Sequence, residues 1–241
     1  MEDNSGPSEL YVSGRYEDLN PGYHVQDSAW KMANVVSILS DHMIKPRSVC
    51  EVGCGAGEVL KQLERHVSEE CLLTGYDINP AAQTHWEDRK SDRLKFRLGN
   101  ILEGSETFDV CLCLDVIEHI PDVHHFLRGL KAFGKHHVLH IPLEMNAQMV
   151  MRGSPIRARK AAGHLHYFDK DTALATLSEC GYCVVEARYT HSSIRLGRIT
   201  YRVGKGWRTA ILSLPRKLTA LVSTDLAART LGGFSLLVLA E

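Results

Sequence analysis

The sequence predicts an α/β fold, a doubly wound and mostly parallel sheet of seven strands with helices on both faces. Two observations carry this reading. Short apolar strand segments alternate with helical periodicities along most of the chain, the pattern of a parallel sheet joined by crossovers. One strand-to-helix turn also carries three glycines spaced two apart, Gly53, Gly55 and Gly57. With 241 residues, 44% of them apolar, there is material for one such sheet in a single domain.

The elements follow in order. Residues 1–26 are rich in Gly, Pro, Asn and Tyr and read as a loop segment. From Asp27, an N-cap candidate, Trp30, Ala33, Val36, Leu39 and Met43 recur at three- and four-residue steps, a helix ended before Pro46. Strands are expected at 48–52, 71–76, 94–98, 108–114, 137–141, 182–189 and 234–240. Between them lie a helix over 57–66, one opened by Pro80, one from Pro121 to Phe133, and one from Asp169 or Lys170 to the Cys180-Gly181 cap. Two segments, 143–165 and 191–233, interrupt the alternation and are long enough to have a structure or function of their own.

Composition narrows the function. Lys plus Arg (28) balances Asp plus Glu (29), so there is no overall basic excess, and no separate RNA-binding module; a nucleic-acid partner is disfavoured. No run of about eighteen apolar residues is present, so no transmembrane segment is expected. The acidic, polar start MEDNSGPSEL is not a secretory signal. Seven scattered cysteines read as reduced, mostly buried thiols of a cytoplasmic enzyme. Cys180 and Cys183 have redox spacing but close a helix rather than open one, so they are read as core, as are Cys111 and Cys113.

The informative stretch is Glu51-Val52-Gly53-Cys54-Gly55-Ala56-Gly57. Glycines there let the backbone turn tightly and approach a ligand in the crevice beyond the strand. By itself the turn also fits a nicotinamide-binding domain. Three further signals follow: Asp77 at the end of the second strand, Gly99-Asn100 after the third, and Phe108-Asp109-Val110 through Asp115-Val116-Ile117-Glu118-His119 at the fourth.

With these four in order, the chain resembles the class I S-adenosylmethionine-dependent methyltransferases over about residues 27–190 and the last strand. The resemblance implies a donor pocket formed by Glu51, Gly53, Cys54, Gly55, Gly57, Asp77, Ile78, Asn100, Ile101 and Leu114, with Tyr16 of an N-terminal lid segment folding over the donor. Asp77 would accept both ribose hydroxyls. Asn100 stands where the family usually has Asp and still offers a carbonyl acceptor.

For the chemistry, Asp115, His119 and His166 are the catalytic candidates, with His119 a base or a pocket-lining residue. Small-RNA 2′-O-methyltransferases are similar in an acidic-x-x-Glu-His motif and a later His-x-Phe that hold a divalent metal. Asp115, Glu118, His119 and His166 would match them. The favoured reading has no metal and instead uses a His-x-x-x-Phe pattern, His164 to Phe168, in which His164 lines the acceptor pocket.

The two insertions would roof the acceptor. Arg195, Arg198, Arg202, Lys205, Arg208, Arg216, Lys217 and Arg229 face one acid, Asp225, and Arg152, Arg157, Arg159 and Lys160 face Glu144. An anion clamp centred on Arg157 and Arg159, for a small anionic or glycosylated acceptor, competes with a plain solvated basic face. Trp207, Ile211, Leu214, Leu218, Leu221 and Val222 fall near one side of a helix that would pack within the chain, with a homodimer face or membrane-surface helix as alternatives.

Overall fold

The computed structural model describes residues 25–191 and 207–241, with side chains of the 207–222 helix from Pro215 onward. Tyr16 and the basic residues from Arg195 to Lys205 lie outside the described residues.

Seven strands form one sheet in the order β3-β2-β1-β4-β5-β7-β6. They are β1 (Ser48–Val52), β2 (Leu72–Asp77), β3 (Leu94–Leu98), β4 (Phe108–Leu114), β5 (Gly134–Leu143), β6 (Val184–Thr190) and β7 (Phe234–Ala240). The first five are parallel, and β7 runs antiparallel between β5 and β6. The seven-stranded, mostly parallel fold expected from the sequence is therefore observed.

Alternate residues feed two cores, as the two-residue period of a strand requires. Cys111 and Cys113 of β4, with Leu236 and Val238 of β7, face α3 (Val123–Leu130), α6 (Lys170–Glu179) and α8 (Thr224–Leu231). Leu112 and Leu114, with Leu237 and Leu239, face α1 (Val25–Asp41) and α2 (Glu58–Leu63). The 143–165 segment folds into α4 (Ala147–Met151) and α5 (Ser154–Ala162), and α7 (Trp207–Val222) precedes α8.

Three local expectations are corrected. The first helix starts at Val25, so Asp27 is not its cap; the side chain is buried and lines the main cavity. Pro80 opens 3-10 turns over Pro80–His85 and Glu87–Arg89 rather than a helix. Trp86 links the two turns, its indole Nε1 donating to Gly55 O at 2.8 Å and its ring stacking on Phe96. The apolar side of α7 does not pack within the chain at its C-terminal end, where Leu218, Leu221 and Val222 are exposed. Among the described residues, no helix is long and apolar enough to cross a membrane, and all seven cysteines are free, six buried and Cys183 exposed rather than in the core as expected.

Candidate functional site

A cavity of about 590 Å³ opens beyond the C-terminal ends of β1, β2 and β4, the place where open α/β sheets bind ligands. The glycine turn forms its floor. Gly53 and Cys54 donate their backbone N–H groups to Tyr76 O at 2.8 and 3.0 Å, tying the turn to β2. Gly53 has φ +70°, and a Cβ there would lie 2.6 Å from Val116 Cγ2. Gly57 does not line the cavity. It caps α2 at φ 77°, with Phe96 packed where a side chain would go.

Asp77 closes one end. Its Oδ2 accepts from Gly55 N at 2.7 Å and its Oδ1 from Asn79 N at 2.8 Å. Burial raises the carboxyl above its ordinary value, and the amides of Asn79, Gly55 and Ile78 oppose that rise. Ile78, Asn100, Ile101 and Leu114 line the same cavity, and Asn100 also caps a short turn by accepting from Leu102 N at 3.1 Å. Burial, with Glu51 and Asp77 nearby, keeps the Cys54 thiol protonated.

A charged cluster that the sequence did not reveal sits beside this pocket. Lys31 of α1 pairs with Asp115 at 2.7 Å. Asp115 Oδ1 meets His140 Nδ1 of β5 at 2.5 Å, and His140 Nε2 meets Thr190 Oγ1 of β6 at 2.9 Å. Burial opposes ionisation of Asp115, but His140 and Lys31 outweigh it and hold the carboxyl well below its usual range. Asp115 has φ 57°, in the left-handed region that Asp tolerates better than most residues. Two neighbouring carboxyls behave oppositely. Burial lifts Glu51 to about 8 against the pull of Lys31. Burial and then Asp115 push Glu118 well above its ordinary value. Among the described residues, Oε2 of each has no hydrogen-bond partner.

The far end is built from the loops after β4 and β5. His164 Nδ1 lies 2.5 Å from Glu144 Oε2, and both line the cavity. The His119 ring meets His164 edge-on at 4.8 Å. Burial and then His164 lower its pKa to about 4, so it is neutral at ordinary pH. Glu118, His119 and His164 bring one potential ligand atom each within 4.8 Å of one another.

The structure separates His166 from this group. Its Nε2 donates to Ile120 O at 2.9 Å, and it does not line the cavity, because Leu165 and His166 both give their N–H to Glu118 O and turn the chain between the two histidines. Of the expected metal-binding set, Asp115 is committed to Lys31 and His140, and His164 stands in the place given to His166.

Part of the basic insertions lies among the described residues. Arg157 and Arg159 line neither this cavity nor the smaller one beside it, and Arg157 bonds to Arg152 O and Ser154 Oγ. Arg229 is spent on Asp225 and Asp171. Residues missed by the sequence reading, Trp30, Lys31 and His140, come from helix and strand interiors, where no local spacing marks them as a site.

Residues 28–187 match the family model described as a methyltransferase domain. A ubiquinone biosynthesis O-methyltransferase from Azorhizobium caulinodans is 34% identical over 92 residues, a match spanning 35% of this chain and 35% of that protein. The methyltransferase in complex with the Trm112 activator of Haloferax volcanii superposes with TM-score 0.66 at 16% identity, over 98% of this chain and 96% of that one. The N-methyltransferase NodS from Bradyrhizobium japonicum, solved with S-adenosylhomocysteine, gives TM-score 0.57 at 16% identity, over 93% and 96%. Motif order, strand order and family match agree, and the chain belongs to the methyltransferase domain family, the class I enzymes whose methyl donor is S-adenosylmethionine.

Proposed function

We propose that the protein transfers a methyl group from S-adenosylmethionine to a hydroxyl or amine of a small anionic or sugar-containing acceptor in the cytoplasm, with His164 and Glu144 handling the proton. The observation that carries this reading is one cavity with donor-type groups at one end and a histidine–carboxylate pair at the other.

The residues fit the donor. The turn at Gly53 leaves no room for a side chain, so the backbone itself forms the wall. Asp77 retains carboxylate lone pairs for two ribose hydroxyls beyond its two amide bonds. Glu51 is a buried carboxyl with an orphaned oxygen, a group that a cation such as the donor's α-ammonium would ionise and pair with. Lys31 supplies the matching positive charge for the donor's carboxylate. Asn100, Ile78, Ile101 and Leu114 remain for the adenine and ribose. When bound, the donor supplies a methyl group already activated on a sulfonium.

This chain's own work is then placement and proton transfer. Glu144 holds the His164 proton on Nδ1, which leaves Nε2 to accept the proton from the acceptor hydroxyl or ammonium. His119, buried and neutral, keeps positive charge away from that end and positions the His164 ring. Asp115 acts as the counter-ion that holds Lys31 and His140, and His166 braces the loop after Glu118.

A second reading rests on the three ligand atoms of Glu118, His119 and His164. A divalent cation there would ionise Glu118 and bind the acceptor oxygen directly, as in metal-dependent 2′-O-methyltransferases. Chelation separates the two: the metal-free reading expects unchanged turnover of chelator-treated enzyme, and the metal reading expects loss restored by added cation.

The primary test is calorimetric titration with S-adenosylhomocysteine. Wild type is expected to bind at micromolar levels and Asp77→Ala to lose binding. A folded wild-type protein that does not bind would overturn the reading in favour of a non-catalytic partner subunit.

A further inference from the structure

A second cavity, of about 290 Å³, lies between the end of β5, the α4–α5 connection and the Gly232–Gly233 turn that leads into β7. Arg216 of α7 faces it and is 9% exposed. Its Nη2 donates to Leu231 O at 2.8 Å. Its Nε and Nη1 have no hydrogen-bond partner among the described residues. Buried guanidinium groups are normally paired, because an uncompensated buried charge is costly.

The surroundings make the lack of a counter-charge more pronounced. Arg152, at the end of α4, lines the same cavity and forms no ion pair among the described residues. The two guanidiniums repel: burial, and then Arg152, lower the proton affinity of Arg216. Asn146, Ser154 and Ser235 add neutral donors to the wall. Glu144 also lines the cavity, but its carboxylate is engaged by His164 at 2.5 Å. Gly232 brings backbone against the site at φ +61°, and a Cβ there would lie 2.5 Å from Asn146 Nδ2. Pro142, Glu144 and Ser235 line both cavities, so the two share a wall.

We infer that this second cavity is an oxyanion site in which Arg216 and Arg152 clasp a phosphoryl group of the acceptor. Two guanidiniums match the two charges and three acceptor oxygens of a phosphate monoester better than the single charge of a carboxylate. Glu144 then stands between the phosphoryl group and the reacting end at His164, which makes the acceptor an elongated molecule with its phosphate remote from the methylated atom. The identity of the phosphate's carrier rests on the proposed function; the site itself does not.

Inorganic phosphate is the probe, titrated by calorimetry and thermal shift into the full chain, with acetate as control and S-adenosylhomocysteine measured in parallel. Wild type is expected to bind phosphate and gain thermal stability from it. Arg152→Gln is expected to weaken phosphate binding by about tenfold, the loss of one charged hydrogen-bonding partner. Arg216→Met is expected to abolish it and, without phosphate, to melt no lower than wild type, because an apolar side chain replaces an uncompensated charge. Both variants should bind S-adenosylhomocysteine as wild type does.

No phosphate binding, binding unaffected by both substitutions, or acetate bound as tightly as phosphate would each overturn the site. Should Arg216→Met fail to fold, Arg152→Gln decides the matter alone. Phosphate binding without S-adenosylhomocysteine binding would remove the methyltransferase reading and leave the oxyanion site standing.

Discussion

Asp115 and His140 meet at 2.5 Å between Oδ1 and Nδ1, and through this contact the loop after β4 is joined to β5 and, by way of Thr190, to β6. Lys31 adds a salt bridge to the same carboxylate from α1. Four elements therefore depend on one ionised side chain.

Asp115→Asn tests that dependence. Asn keeps the tolerance of Asp for the left-handed backbone at φ 57°, so the substitution removes charge without adding strain. Breaking a buried pair leaves Lys31 uncompensated, at a cost of about 3 kcal/mol. Urea unfolding at pH 7 should show a lower midpoint with an unchanged slope. Because the folded carboxyl titrates below its unfolded value, the difference should persist above pH 4 and shrink in acid. A midpoint equal to wild type at pH 7 would count against this account.

Glu51 gives the opposite dependence. Its folded pKa is raised from 4.5 to about 8. Between those values the folded state binds more protons than the unfolded state, so stability falls as pH rises through that window. Glu51→Gln abolishes the titration. Measured without donor, the variant should match wild type near pH 5 and exceed it by roughly 4 kcal/mol above pH 8. A gap that narrows with rising pH contradicts the assignment.

Two glycines of one turn should separate in their effects. Gly53→Ala places a methyl 2.6 Å from Val116 Cγ2 in the cavity wall. S-adenosylhomocysteine affinity should drop by at least about tenfold. Gly57→Ala meets Phe96, whose ring is stacked on Trp86 at 5.3 Å, at a backbone φ of +77°. That variant should lose about 1–3 kcal/mol of stability, read by thermal denaturation. Equal behaviour of the two in both assays would argue against the division of labour.

The histidine–carboxylate pair predicts a kinetic signature. His164→Ala should lower kcat by about 10²- to 10⁴-fold on a hydroxyl acceptor while leaving S-adenosylhomocysteine affinity unchanged. Glu144→Gln should lower kcat less, since it disturbs the tautomer but spares the ring. His119→Gln tests positioning: it is expected to change kcat without moving the acid limb of the kcat/KM profile. An acid limb that disappears in His119→Gln would transfer the base role to that residue.

How far the sequence could be read depends on where each interaction lies along the chain. Glu51, Gly53, Gly55 and Asp77 were legible as cavity-lining residues because they sit within strand-ends and a turn, where spacing alone imposes geometry. The contact of Trp86 with the glycine turn could not be foreseen, since its partner Gly55 is 31 residues away. Lys31, Asp115 and His140 were invisible as a group for the same reason. Lys31 reads as a surface residue beside an apolar stripe, and His140 as one polar position inside an apolar strand. The choice between His164 and His166 turned on a backbone contact to Glu118 that no side-chain pattern encodes. The expected clamp at Arg157 and Arg159 failed because charge counting cannot distinguish arginines on a helix surface from Arg216, which folds under the Gly232–Gly233 turn.

The antiparallel strand β7 also has a bearing on how the chain reaches this fold. β6 pairs with β7, and β7 in turn pairs with β5, about a hundred positions earlier in the sequence. During synthesis, residues 184–190 emerge before their partner strand exists, and the five-stranded sheet ends in an open β5 until residues 234–240 leave the ribosome. Closing that gap demands the longest-range strand pairing among the described residues, the kind that forms slowly. The nascent chain therefore passes through an interval with an unpaired apolar edge, and that interval, rather than the equilibrium stability of the finished sheet, sets when it is most exposed to aggregation and to chaperones.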